Sequence, residues 1–141
     1  NNLIINGFST FFGVVNFKDE VIFEGHQTVS KDSAGLATIK KGDKIVDVTF
    51  TKEYETVPVI TANLISDRTD KSEDQEALDD AFLASDRDYV ITHRSKKGFS
   101  ILMKKSTTID LNFSWTAVMV KDLSVFDSRL QRLTPTLDPP H

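Results

Sequence analysis

Apolar and polar residues follow two different rhythms along this chain, and the change between them falls near residue 32. Ile5, Phe11, Phe17, Phe23 and Val29 stand six residues apart. Gly7, Gly13, Asp19 and Gly25 follow the first four of these by two positions, and Lys31 ends the series. Val15 and Val21 add a second apolar position, each four residues after a leading phenylalanine. Hexapeptide periods of this kind mark β-helical coils, in which each short strand forms one side of a triangle and the chain turns at Gly or Asp. A coil made by one chain needs about three such units per turn and about three stacked repeats for stability. Residues 1–32 are too short for that, and alone they have nowhere to bury Phe11, Phe17 and Phe23. Three copies would supply the three sides at every level, close the prism with Val15 and Val21 inside, and remove free strand edges. The alternative is a β-hairpin turning at Lys18-Asp19-Glu20, in which residues 14–17 pair with 21–23.

After a small junction, Asp32-Ser33-Ala34-Gly35, read as a flexible link, the period becomes two. Alternating or β-rich runs at 35–40, 44–51, 57–65, 88–94, 98–104 and 109–120 predict six strands joined by short turns. Val46, Val48 and Phe50 share one face of the second. Tyr89, Ile91 and His93 share one face of the fourth, which makes His93 a partly buried structural histidine. Ile109, Leu111, Phe113, Trp115, Ala117 and Met119 alternate through the last, placing Trp115 in the core or on a trimer axis. Pro58 stands at the head of the third strand, where a strand tolerates proline. Between Ser66 and Asp88 the chain is acidic, and Ser72 with Gln75 forms a capping-box pattern. Ala77, Leu78, Ala81 and Phe82 then recur at helical spacing, predicting one short helix over residues 73–84. The last twenty residues hold three prolines near the end and read as a tail or linker. The fold class is therefore all-β. It is a six-stranded antiparallel β-sandwich over 33–121, preceded by a hexapeptide-repeat β segment over 1–32 as an intertwined trimeric stalk, and followed by a tail over 122–141.

Composition narrows the function. With 141 residues the chain is the size of one domain with an appendage, and its ten phenylalanines permit a real core. A net charge of −4 offers no basic field for nucleic acid or an anionic membrane. No run approaches a membrane span. The absence of cysteine removes disulfide and thiolate chemistry and suits the cytosol or a bacterial or viral exterior. The first residue, Asn1, follows no initiator methionine or signal pattern, so a mature form or an excised fragment is expected.

Gly35, Ala37, Thr38, Ile39, Gly42, Val46, Val48 and Phe50, then Tyr54 and Pro58, then Ser95, Gly98 and Phe99, then Phe113, Trp115 and Ala117 form a framework over about residues 35–120. This framework resembles the H-type lectin domain of snail agglutinin and of the C-terminal part of discoidin. The resemblance implies a six-stranded antiparallel sandwich that assembles as a trimer and binds carbohydrate in clefts between subunits. Similar domains stand at the ends of phage tail fibres and in bacterial surface proteins, often after fibrous repeats. The sugar-binding members use an Arg before the fourth strand and a Trp-His pair before the last. Here Arg87 lies near the first position, while the second reads Lys-Lys-Ser-Thr-Thr over 104–108, with no aromatic.

No catalytic or metal pattern accompanies this framework. His26, His93 and His141 are far apart, there is no HExxH, no GxSxG elbow and no EF-hand loop, and the acidic residues of 67–88 read as a solvated face. No cofactor, metal or enzymatic activity is expected. The sequence points to a homotrimeric, extracellular, cell-surface or virion module for attachment, with weak multivalent glycan binding at subunit boundaries and Arg87, Tyr54 and Lys104 as ligand-binding candidates. Two other readings remain: a ligand-free module that trimerises and caps a fibre, and a monomer that meets another protein through the acidic insertion.

Overall fold

The computed structural model describes residues 1–66, 80, 83 and 88–129. Six strands form: β1 Ala34–Ile39, β2 Ile45–Thr49, β3 Val59–Ile65, β4 Tyr89–Thr92, β5 Gly98–Met103 and β6 Leu111–Val118. They make two antiparallel three-stranded sheets, ordered β1-β6-β3 and β2-β5-β4. Each sheet is built around its richest alternation. In β6, Leu111, Phe113, Trp115 and Ala117 are all buried, and their neighbours point outward. In β5, Phe99, Ile101 and Met103 face them from the opposite sheet and complete one continuous core with Ala37, Ile39 and Phe50. Pro58 is fully buried immediately before β3, where its missing N–H removes no ladder bond. Trp115 packs edge-on to Phe99 at 5.5 Å between ring centres and tilted against Phe50 at 6.2 Å, so it belongs to the core.

Two glycines allow the layers to close. Gly35 lies directly across from Trp115, and a Cβ there would come within 2.6 Å of the indole ring. Gly98 lies across from Thr49, and a Cβ there would come within 2.1 Å of the Val48 carbonyl oxygen. Both belong to the framework that prompted the family resemblance, and each now has a steric reason.

The structure departs from the expected pattern at the ends of elements. His93 is exposed rather than partly buried, because β4 ends at Thr92 and His93 takes φ 51° as the turn toward β5 begins. Met119 is exposed as well, since the pairings of β6 stop at Val118 opposite Val59. The junction expected to be flexible is pinned. Asp32 accepts hydrogen bonds from the Thr51 and Lys52 amides at 2.7 and 3.0 Å, and its carbonyl accepts one from the Tyr54 hydroxyl at 2.6 Å.

Residues 1–29 enter no strand ladder, so the hairpin of 14–17 with 21–23 is not formed. Instead the chain is extended and bends at Gly7, Phe12-Gly13, Lys18-Asp19 and Glu24-Gly25, before the turn at 31–33. The bends keep the six-residue period read from the sequence. The helix expected over 73–84 falls, apart from Asp80 and Leu83, outside the described residues. Residues 122–129 form no regular element, and the rest of the tail lies outside the description.

Candidate functional site

Topology divides the head into two ends. β1 runs away from the segment expected to form a stalk, so the β2–β3 and β4–β5 loops lie at the end where that segment joins the sandwich, the stalk end for short. The β1–β2 and β5–β6 loops lie at the far end, and the connection between Ile65 and Tyr89 leaves and returns there.

The stalk end is organised by Asp32. The Thr51 N–H foremost, joined by that of Lys52, holds its carboxyl below the ordinary 3.8, against the opposing pull of desolvation. Tyr54 packs edge-on against Phe50 at 4.9 Å and reaches back to the Asp32 carbonyl. Its ring therefore ties the stalk connection to the sandwich. Beside it lies an open depression of about 290 Å³ bordered by Ser30, Asp32, Lys52, Glu53 and Met119. A second, of about 370 Å³, is bordered by Val29, Ala34, Thr116, Val118 and Met119. Asp32 itself escaped the sequence reading: an Asp between Lys and Ser looks like any junction residue, and its partners stand about twenty residues ahead.

The far end is held in the same manner. Asp110 accepts from the Lys41 amide at 2.8 Å and from the Lys40 ammonium at 3.2 Å, and the Lys41 contact above all keeps its carboxyl below the ordinary value. Thr107, nearly buried, donates its hydroxyl to the Lys40 carbonyl and its N–H to that of Asp43. The 104–108 loop thus clamps the β1–β2 turn. Lys104 leads out of β5 with its N–H on the Asp88 carbonyl, beside a shallow groove of about 230 Å³ bordered by Tyr89, Val90, Leu102 and Met103.

The three ligand-binding candidates do not converge within one chain. Tyr54 is at the stalk end and Lys104 at the far end, separated by the length of β5, roughly 20 Å at about 3.3 Å per residue. Arg87 lies outside the described residues, although its neighbour Asp88 is the residue that meets Lys104. Among the described residues no cluster of three or more His, Cys, Asp or Glu could hold a metal, and no helix is long and apolar enough to cross a membrane.

Apolar residues of the N-terminal segment differ in exposure with their place in the six-residue period. The hexad row from Ile5 to Val29 is 52% to 67% exposed, and Val15 and Val21 are each 41% exposed. Apolar residues off these rows stand fully out, as with Phe8 at 105% and Phe12 at 98%. Phe11, Phe17, Phe23, Val15 and Val21 are thus less exposed than their apolar neighbours but none of them is buried. No family model, curated protein or solved structure matches the chain.

Proposed function

We propose that the protein is a non-catalytic, homotrimeric module that joins a β-helical stalk to an H-type-lectin-like head, at a cell or virion surface. The observation that carries this reading is the N-terminal segment: five apolar side chains at a six-residue period, bends at the same period, and all five left more than half exposed. Contiguous apolar exposure on this scale marks an interaction surface. A six-residue turn rhythm suits a triangular cross-section, and three copies complete it. The head is an all-β, two-sheet antiparallel structure, an architecture that many β-sandwich families share. Light scattering of the full chain is expected to return about 47 kDa, three times the 15.8 kDa subunit. A mass of one subunit would sink the proposal and leave the monomeric reading.

A trimer whose head stands beyond a stalk presents its far end to the surroundings. Here the groove bordered by Lys104 favours a role in attachment, because it places Asp88, Tyr89 and Lys104 beside the apolar Val90, Leu102 and Met103. Three such sites held together raise avidity without any new contact. On a glycan array the trimer is expected to bind at high ligand density, and Arg87→Ala or Lys104→Ala to reduce that binding with the molar mass unchanged. An array empty at every density would leave the ligand-free capping module.

A further inference from the structure

Of the asparagines Asn1, Asn2, Asn6, Asn16, Asn63 and Asn112, only Asn6 is followed by glycine. An asparagine side chain carries an amide carbon within reach of the next residue's backbone nitrogen, and bonding the two closes a cyclic imide. Two obstacles ordinarily oppose this closure. The Cβ of the following residue crowds the nitrogen, and a backbone fixed by hydrogen bonds cannot turn to bring the two atoms together.

Both obstacles are absent at Asn6. Gly7 takes φ 137°, in the range that favours glycine, and nothing lies within 4 Å of the place a Cβ would occupy. Asn6 is exposed and its segment enters no strand ladder. Among the described residues no hydrogen bond holds the Asn6 side chain or the Gly7 amide. Every other asparagine meets at least one obstacle. Asn63 and Asn112 sit in the paired strands β3 and β6, and the Asn112 side chain accepts a hydrogen bond from the Thr38 hydroxyl at 2.7 Å. Asn1, Asn2 and Asn16 share the open segment but precede Asn, Leu and Phe. Asn16 is thus a built-in control, equally exposed and differing in the residue that follows.

We propose that Asn6-Gly7 is a self-modification site, at which the Gly7 nitrogen displaces the side-chain amide of Asn6 and water then opens the ring to aspartate or isoaspartate. In the first step the bond from the Gly7 nitrogen to Asn6 Cγ forms, the Cγ–Nδ2 bond breaks, and the Gly7 amide proton leaves with that nitrogen as ammonia. In the second, water adds to a ring carbonyl, its hydroxyl staying on the carbon and its proton passing to the ring nitrogen as the C–N bond breaks. Opening at Cγ gives aspartate, and opening at the main-chain carbonyl gives isoaspartate. The reacting atoms belong to adjacent residues, so closure needs no encounter and no enzyme. Either product places a carboxylate in residues 1–17, which hold no Asp, Glu, Lys or Arg, on a chain that already carries −4. Isoaspartate also routes the main chain through Cβ and lengthens it between Ile5 and Phe11, the first step of the six-residue period.

The test is to age the full chain in mildly alkaline buffer made with heavy-oxygen water and to follow each asparagine by tandem mass spectrometry. Asn6 is expected to exchange its side-chain nitrogen for labelled oxygen several-fold faster than Asn16, with isoaspartate among the products. Gly7→Ala is expected to slow Asn6 several-fold and leave Asn16 unchanged, and Phe17→Gly to raise Asn16 toward the rate of Asn6. Conversion of Asn6 no faster than Asn16 would overturn the proposal. So would an Asn6 rate that Gly7→Ala leaves unaltered, since the side chain would then be hydrolysed directly, without the ring.

Discussion

A chain in which Phe11, Phe17 and Phe23 are all replaced by serine is expected to run as a monomer with an intact head. None of the three contributes to the core formed by β1 to β6 and Phe50, and among the described residues no backbone hydrogen bond ties residues 1–29 to the sandwich. Their loss therefore leaves the sandwich alone. In a trimer the same substitutions strip nine aromatic side chains from one shared interior, each worth roughly 1.5–3 kcal/mol when fully buried. A loss on the order of 15 kcal/mol or more is comparable with the whole free energy of a tight protein–protein complex. Light scattering should show the fall from about 47 to 15.8 kDa, while fluorescence of Trp115, the single tryptophan, stays that of the parent. A trimer that survives all three replacements would show that the stalk is not what holds the subunits together.

Gly98→Ala is expected to be the most disruptive small change within the head. The added methyl would stand 2.1 Å from the Val48 carbonyl oxygen and about 3.2 Å from the Thr49 Cα, both main-chain atoms of the paired strand. A side chain could rotate away, but a laddered backbone moves only by breaking its register with β5. Overpacking of this kind costs about 1–3 kcal/mol and occasionally more, and the backbone origin of the clash places this case at the upper end. For a head of this size that corresponds to a Tm lower by roughly 15 °C, readable by thermal unfolding followed at Trp115. Gly35→Ala offers the internal comparison, since its methyl would meet only the indole ring at 2.6 Å. It should shift the Trp115 emission and cost less. Equal Tm values for Gly98→Ala and the parent would mean that β2 and β5 do not approach as closely as described.

How much of this was legible beforehand depended on the range of each interaction. All six strands were readable because alternation is local: Phe113, Trp115 and Ala117 announce their common face within five residues. The six-residue period of residues 1–32 is equally local, and bends fall at Gly13, Asp19 and Gly25, while a β-helical coil of these residues remains part of the proposal. The candidate site was read less well. Tyr54 and Lys104 are candidates as loop residues near an expected subunit boundary, and only the fold shows that β5 separates them along one chain. His93 was assigned to a strand face by parity, which cannot register that the ladder stops one residue earlier. Asp32 was missed because its hydrogen-bond partners are neighbours in space alone.

By itself, then, the sequence determined the all-β class, the positions of the strands, the residues that face inward and the six-residue rhythm of the stalk. Each of these follows from side-chain order over a few residues. Only the tertiary structure decided the strand orders β1-β6-β3 and β2-β5-β4, the close approach at Gly98 and the pinning of the junction by Asp32. Alternation states which side of a strand is apolar but not which strand lies beside it. A contact between strands distant in sequence exists only once their pairing has set the register.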